Sequence, residues 1–192
     1  PGSVSVPAPW QAHEGLRDAV GIGWYRRTFK VNAKDAKNGA LVLRFGAVDY
    51  LADVWVNGKK VGSHEGGYLP FEFDVTKVVT AGVNTVVVRA DDTHERFSEI
   101  PHGKQSWYGP ISGLWQSVTL DVRPPTHITA LKLTPRGEQI DAEVTLNKGA
   151  RGEAVAFTVL DPKGKSVATA TAAVEGAAAR VSISVPSPKL WD

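Results

Sequence analysis

The stretch Val54-Trp55-Val56-Asn57-Gly58 decides the fold class, because it joins a β-strand to a two-residue turn. Asn and Gly both tolerate the positive φ angles that a tight hairpin needs, so Asn57-Gly58 predicts a hairpin. Comparable apolar runs lie on either side, at residues 41–45 and 86–88, with turn residues between them. Short β-rich runs at this spacing predict an all-β chain built as a sandwich or a barrel.

Alternation along the strands predicts which side chains face inward. In residues 24–31, Tyr25, Phe29 and Val31 fall on one face and Trp24 falls on the other. Successive side chains of a strand point to opposite sides of its sheet, so only one of these faces belongs to a core. No stretch combines helical periodicity with caps, and the sequence therefore predicts no helix.

Further positions carry structural expectations of their own. Residues 114–122 predict one more strand. Trp55 and Trp115 are expected in the core or between two sheets. The pair Gly66-Gly67 predicts a bulge or a tight turn, beside which Tyr68 packs.

Pro124-Pro125 marks a domain boundary, because two consecutive prolines cannot donate to a ladder and they force extended backbone. Residues 1–123 hold five of the six Trp and all four Tyr, whereas Ala, Thr and Val dominate afterwards. We therefore predict one domain at 1–123 and a second at 124–192. The second contains about five strands where an immunoglobulin-type domain needs roughly seven, so we expect it to be incomplete at its C-terminus.

Composition excludes several classes of function. The net charge is +2 and the basic residues are scattered, which argues against a nucleic-acid partner. No apolar run is long enough to cross a bilayer and no signal region opens the chain, so we predict no membrane partner and the compartment stays open. Cys is absent, which excludes disulfides and thiolate chemistry, and Met is absent, so we expect that residues were removed before Pro1.

The sequence predicts no catalytic centre within this chain. Glycoside hydrolysis needs two carboxylates about 5–10 Å apart, and no pair of acids stands out from those that solvate outward faces and turns. The five His residues are isolated, so no metal site is predicted, and no phosphate-cradling glycine loop or nucleophile elbow suggests a cofactor or a covalent mechanism.

Residues 91–113 form a long segment between two predicted strands. Loops of this length inside a compact domain tend to be functional or disordered, and this one is too aromatic for disorder. Polar groups beside Trp107 and Tyr108 suit a sugar, which takes hydrogen bonds at its hydroxyls and an aromatic face at its ring C–H groups. The alternative is that Trp107 and Tyr108 only fasten the loop to the sandwich.

A series of motifs in this order and spacing resembles family 2 glycoside hydrolases, the group that includes β-galactosidases, β-glucuronidases and β-mannosidases. Each motif is weak, but the ordered series over residues 6–122 is specific. It consists of Val-Pro-Ala-Pro-Trp-Gln at 6–11, Trp-Tyr-Arg-Arg-Thr-Phe at 24–29, Leu-Arg-Phe-Gly-Ala-Val-Asp at 43–49, Val-Trp-Val-Asn-Gly at 54–58, His-Glu-Gly-Gly-Tyr-Leu-Pro-Phe-Glu-Phe-Asp-Val-Thr at 64–76, Gly-Lys-Gln-Ser-Trp at 103–107 and Ser-Gly-Leu-Trp-Gln-Ser-Val at 112–118. The second domain matches the family only in its general residue pattern and in Pro-Ser-Pro-Lys-Leu-Trp at 186–191.

The resemblance implies a galactose-binding-like jelly-roll sandwich, then an immunoglobulin-like sandwich, then a (β/α)8 barrel with the two glutamates of a retaining mechanism. The barrel is not found in these 192 residues, so the chain is expected to be inactive alone. The family's first strand is expected before Pro1. The implied partners are a β-glycoside and the missing barrel of the same polypeptide, and oligomerisation of the full-length enzyme stays open.

The resemblance also implies where a sugar is contacted. In such enzymes a loop of the first domain reaches over the barrel mouth. We therefore expect Asp49 and Gln105 to be polar sugar contacts, with Trp107, Lys104 and His102 lining the rim. The competing interpretation of Asp49 is a turn carboxylate that caps its own backbone.

Two other classes of function remain open at this stage. A free-standing carbohydrate-binding module predicts a shallow site with a coplanar pair of exposed Trp or Tyr. A structural sandwich used for assembly predicts buried or disordered loop residues and a large apolar patch.

Overall fold

The computed structural model describes residues 2–100 and 109–188. The chain divides into two compact units, Pro1–Pro124 and Pro125–Asp192. Within the described residues, no helix is long and apolar enough to span a membrane. The predicted all-β class is confirmed, because every sheet is antiparallel and a single short α-helix interrupts the strands of the described part.

The first unit is a sandwich of two sheets. One sheet has the strand order β1-β6-β3-β4 and the other β5-β2-β7. The elements are β1 (Gly21–Val31), α1 (Ala33–Asn38), β2 (Ala40–Phe45), β3 (Leu51–Val56), β4 (Lys59–Glu65), β5 (Phe71–Asp74), β6 (Gly82–Asp92) and β7 (Val118–Arg123).

The core lies between the two sheets. Leu41, Leu43 and Phe45 of β2 meet Val54 of β3 and Val88 of β6, and all five are buried. Burying each such side chain contributes about 1.5–3 kcal/mol relative to exposure. Apolar side chains at every second position therefore hold the two sheets together.

The predicted hairpin at Asn57-Gly58 is confirmed. Asn57 has a φ of 50° and Gly58 a φ of 79°, and they connect β3 to β4 directly. The Asn57 side chain adds to the turn: its Oδ1 accepts from the Thr85 N–H at 2.9 Å, and its Nδ2 donates to the Val78 carbonyl at 2.8 Å. Asn is thus required both for its backbone angle and for its amide.

Two sequence expectations about secondary structure are wrong. Residues 33–38 form a six-residue helix, capped by Asn32, whose Oδ1 accepts from the Asp35 N–H at 2.8 Å. A helix this short completes too few turns to show a period, so only the cap could have revealed it. The strand expected over 114–122 begins only at Val118, because the Leu114 N–H bonds to the Tyr25 hydroxyl at 3.2 Å instead of a ladder partner.

Trp55 is not a core residue. It lies on the outer face of its sheet, because its β3 neighbours Val54 and Val56 are the ones fully buried between the sheets. Trp24 of β1 is also on this outer face and is 62% exposed. Alternation correctly separates the two faces of β3, but it does not say which face a tryptophan prefers.

The second unit contains five strands in the described residues. They form a three-stranded sheet of order β12-β9-β8 and a β10-β11 hairpin. Their bounds are β8 (Ile128–Arg136), β9 (Gln139–Leu146), β10 (Ala154–Leu160), β11 (Ser166–Ala173) and β12 (Ala178–Ser184). The core cluster of this unit includes Ala142, Val144, Phe157 and Ile183.

Candidate functional site

Asp49 lies where the chain passes from β2 to β3, and its backbone is fastened to residue 113. The Asp49 N–H donates to the Gly113 carbonyl at 3.0 Å, and the Gly113 N–H donates to the Asp49 carbonyl at 2.8 Å. These two bonds form an isolated antiparallel bridge. Asp49 therefore stands at the C-terminal end of the segment between Asp92 and Ser112, which we call the 93–111 loop.

The Asp49 side chain packs against the backbone of Gly67. A Cβ atom at Gly67 would overlap Oδ1 and Cγ of Asp49, so only glycine permits this approach. The Gly67 carbonyl accepts a hydrogen bond from Trp115 Nε1 at 2.8 Å. Gly67 thus joins the carboxylate of Asp49 to the indole of Trp115.

Two aromatic rings border this position. Trp115 is half-buried, not part of the core, and Tyr68 meets its ring edge-on with centroids 5.6 Å apart. Tyr68 packs on Trp115 as expected, yet 53% of Tyr68 remains exposed. The pair therefore presents an aromatic surface to solvent next to Asp49.

Tyr50 provides a polar and aromatic contact on the other side of Asp49. Its hydroxyl donates to Glu65 Oε1 at 3.2 Å, and its ring lies 4.9 Å from that of Phe97. Burial raises the pKa of Tyr50, and the carboxylates of Glu65 and Asp49 raise it further. The phenol therefore stays protonated and can act as a hydrogen-bond donor at neutral pH.

The buried carboxylate of Asp91 holds the N-terminal end of the 93–111 loop. Asp91 is 1% exposed, and its oxygens accept from Arg89 at 2.8 Å, Arg96 at 2.6 Å and the Thr93 hydroxyl at 2.6 Å. Burial alone would raise the pKa of Asp91, but the hydrogen bonds from Thr93 and Arg89 outweigh it and lower the pKa. Arg96 fastens this end of the loop to β6, and Phe97 packs on Tyr50.

A buried polar network closes the two ends of the loop onto each other. The Ser112 hydroxyl donates to Asp92 Oδ2 at 2.7 Å and accepts from Gln11 Nε2 at 2.8 Å, while Gln11 Oε1 accepts from the Ser112 N–H at 3.1 Å. Asp92 is 1% exposed and Ser112 is fully buried. We call Gln11, Asp92 and Ser112 the loop latch.

Gly113 follows the loop latch in sequence, and its backbone lies close to the side chains of Trp10 and Tyr25. It has a φ of 79°, and a Cβ atom there would overlap Trp10 Nε1 and the Tyr25 hydroxyl. Those two groups hydrogen-bond to each other. Gly113 is therefore fixed both by its backbone angle and by the space it leaves for this pair.

Of the predicted sugar contacts, Asp49 is brought to the base of the loop. The others, Gln105, Trp107, Lys104 and His102, lie outside the described residues. Sequence reasoning missed Tyr50, Glu65 and the loop latch. Its motif at residues 6–11 did contain Trp10 and Gln11, which are the residues that hold the loop.

Several acids of the described part have a lowered pKa. The pKa is lowered for Asp53 by the Lys60 hydrogen bond, for Glu72 by Arg123 and for Glu143 by Arg180. A general acid at neutral pH needs the opposite shift. Over residues 2–100 and 109–188, no three His, Asp or Glu side chains are grouped closely enough to hold a metal ion.

Comparison with known proteins identifies the family. Residues 2–124 match the profile of the glycosyl hydrolases family 2 sugar binding domain. The chain is 32% identical, over 98% of its length, to a putative β-glucuronidase of Formosa agariphila, of which the match spans 19%. It is 37% identical, over 56% of its length, to a β-galactosidase of Thermoanaerobacter pseudethanolicus, of which the match spans 14%.

A solved structure agrees in fold. The Bifidobacterium dentium β-glucuronidase complexed with coumarin-3-O-glucuronide superposes with a TM-score of 0.77 at 27% identity. The superposition covers 98% of this chain and 37% of that one. The chain thus spans between about an eighth and a little over a third of these similar proteins. The match of its whole first unit to the family profile means that the chain belongs to glycosyl hydrolase family 2.

Proposed function

We propose that this chain supplies sugar contacts and scaffold to a retaining β-glycosidase, and that it performs no hydrolysis itself. The catalytic carboxylates would come from a (β/α)8 barrel, which neither of the two β units resembles. The substrate would be a β-glycoside of the kind named by its relatives, a β-glucuronide or a β-galactoside.

One observation carries this proposal. The Asp49 carboxylate lies against Gly67, and its backbone is bonded to Gly113 at the end of the 93–111 loop. A carboxylate that packs against backbone, on a residue whose own main chain is fixed, loses little conformational entropy when it accepts hydrogen bonds from sugar hydroxyls. In this proposal Asp49 and Gln105 orient the sugar, and His102, Lys104 and Trp107 line the rim.

The test is made in the longer polypeptide that carries this chain. Asp49→Ala should lower kcat/KM about 10–1000-fold, the cost of one or two charge-assisted hydrogen bonds. Asp49→Asn should lose less, because the amide retains an acceptor and adds a donor. Asp18→Asn, at an exposed position of the first unit, is the matched control and should leave both kinetics and Tm unchanged.

The melting temperature separates the two interpretations of Asp49. A sugar contact predicts a large loss of kcat/KM at nearly constant Tm. A carboxylate that only caps its own turn predicts a lower Tm with normal catalysis in the folded fraction, and that result would end the assignment. A panel of nitrophenyl β-glycosides identifies the sugar, and the 192-residue chain alone should hydrolyse none of them.

We also propose that residues 1–123 form the jelly-roll domain and that residues 124–192 form part of an immunoglobulin-like sandwich. Leu131 and Leu133 of β8 support the second assignment. Each pairs with a buried residue of β9, Val144 and Ala142, so both leucines share the core-facing side of the sheet. Both are nevertheless 56% exposed, as expected of a core face that further strands would cover.

A further inference from the structure

We infer that the outer face of the β1-β6-β3-β4 sheet is a second glycan-binding surface, in addition to the contact proposed at Asp49, which takes a polysaccharide carrying carboxylate groups. The observation behind it is a pair of tryptophans on this face. Trp24 of β1 and Trp55 of β3 meet across β6, with ring centroids 5.6 Å apart and planes inclined by 31°. We call the two the indole pair.

The indole pair is placed to receive sugar rings. Trp24 is 62% exposed although it is the largest side chain on β1, and Trp55 is half-buried beside it. Two adjacent indole rings on a rigid sheet, tilted by 31° to each other, offer apolar area at low entropic cost. The C–H faces of pyranose rings fit such a surface, while their hydroxyls need hydrogen-bonding groups around its edge.

The polar and charged side chains around the indole pair can supply hydrogen bonds to sugar hydroxyls, and they determine the local charge. The two rows of the sheet that hold the indole pair also hold Arg26, Arg89 and Lys60, against one carboxylate, Asp53. Lys60 Nζ lies 5.7 Å above the Trp55 ring and 2.6 Å from Asp53. Arg89 also pairs with Asp91, so the three cations face two carboxylates, and the remaining positive charge favours an anionic ligand over a neutral one.

The arrangement suits a glycan better than a protein partner. Asp53 already accepts from Ser63 at 2.7 Å and from Arg89 at 3.3 Å, so the edge of the pair is polar and charged. Protein interfaces need about 800 Å² from each partner, with charged groups depleted at the centre. Here charged side chains lie immediately beside the indoles, which is unlike the centre of a protein interface.

The experiment is affinity gel electrophoresis of the 192-residue chain. The gels contain polygalacturonate as the anionic probe or hydroxyethylcellulose as the neutral one. We expect retardation by polygalacturonate, which weakens as salt is added, and little by hydroxyethylcellulose. Trp24→Ala should raise the apparent Kd for polygalacturonate about tenfold, and Arg26→Gln several-fold. Trp24→Tyr should retain most of the binding.

The matched controls lie on the same face at its far end. Val83→Ala removes apolar area from a side chain that is also 62% exposed, and Lys30→Gln removes a cation from β1. Neither should change retardation. Because Trp24 is exposed, Trp24→Ala should fold normally, and its circular dichroism and Tm verify this.

Four outcomes would overturn the inference. The wild-type chain is not retarded by polygalacturonate, or Trp24→Ala is retarded as strongly as wild type. Sedimentation detects self-association that Trp24→Ala abolishes, which would make this face an interface between copies. The longer polypeptide does not bind although the 192-residue chain does, which would mean that the rest of the polypeptide covers the indole pair. Hydrolysis is not measured, so this test is independent of the role proposed for Asp49.

Discussion

Removing the Ser112 hydroxyl should destabilise the first unit far more than removing a chemically equivalent hydroxyl elsewhere. Two serines in this unit donate to an aspartate at the same distance, 2.7 Å: Ser112 to Asp92 and Ser63 to Asp53. They differ in burial, since Ser112 is fully buried whereas Ser63 is exposed. Ser112→Ala and Ser63→Ala are therefore a matched pair that isolates the effect of burial.

The expected magnitudes follow from what each deletion leaves behind. Ser112→Ala removes the donor to the buried Asp92 and one of two acceptors for Gln11 Nε2, which is half-buried and keeps its 3.3 Å bond to the Ala19 carbonyl. A buried polar group that loses its partner costs about 1–3 kcal/mol, so the unfolding free energy should fall by roughly 1–3 kcal/mol. At Ser63 water replaces the hydroxyl, and the change should stay within about 0.5 kcal/mol.

Urea unfolding followed by tryptophan fluorescence measures both variants. Five of the six Trp lie in residues 1–123, so the signal reports mainly on the first unit. The midpoint should shift for Ser112→Ala while the slope m stays constant. Gln11→Ala should be non-additive with Ser112→Ala, because both remove the same bond. A difference of less than about 1 kcal/mol between Ser112→Ala and Ser63→Ala would refute the loop latch.

Three more expectations follow. Gly67→Ala should lower kcat/KM of the longer polypeptide about tenfold or more, because the new Cβ displaces the Asp49 carboxylate. Gly2→Ala is the control and should leave kcat/KM unchanged, because a Cβ atom at Gly2 has no neighbouring atom within 4 Å. Arg123 donates to Glu72 at 2.8 and 2.6 Å and lowers the pKa of that carboxyl. The stability that this ion pair contributes is fully present above the unfolded pKa of Glu72, about 4.3, and is lost as pH falls through the lower folded pKa. Arg123→Gln should therefore flatten the fall in Tm between about pH 5 and 3. An unchanged profile of Tm against pH would contradict a contribution from this ion pair. Leu131→Ser should lower the unfolding free energy by under about 1 kcal/mol in the 192-residue chain and by about 2 kcal/mol or more in the longer polypeptide, since only there would further strands cover Leu131. Equal losses in urea unfolding would argue against the proposed immunoglobulin-like assignment.

The strands could be predicted because their signals are local. Asn57-Gly58 specifies its own turn, and the buried series Leu41, Leu43 and Phe45 follows from a period of two, as does burial over 140–146. Val42 is buried as well, which a period of two does not predict. The turn at Asp161 is of the same kind as Asn57-Gly58: its Oδ1 accepts from the N–H groups of Lys163 and Lys165 at 2.8 and 2.9 Å. Each of these features is determined within a few residues.

The loop latch could not be predicted, because its partners are distant in sequence. Gln11 and Ser112 are 101 residues apart, and nothing in either segment specifies the other. The outward position of Trp55 was predicted wrongly for a different reason. A period of two divides β1 and β3 into faces, but a tryptophan suits a core and an exposed platform equally well by hydrophobicity alone. Only the pairing of both strands with β6 brings Trp24 and Trp55 together.

Arg89 links the two surfaces of this unit physically. Its guanidinium bonds to Asp91 at 2.8 Å and to Asp53 at 3.3 Å, Asp91 holds Arg96 of the 93–111 loop, and Asp53 holds Lys60 beside the indole pair. The Arg89 side chain is 18% exposed and that of Asp91 1%, so the attraction between them is weakly screened. Because this one cation pairs with a carboxylate belonging to each surface, a change at Arg89 removes one partner from Asp53 and one from Asp91. The base of the loop and the outer face of the sheet are therefore parts of one electrostatic unit.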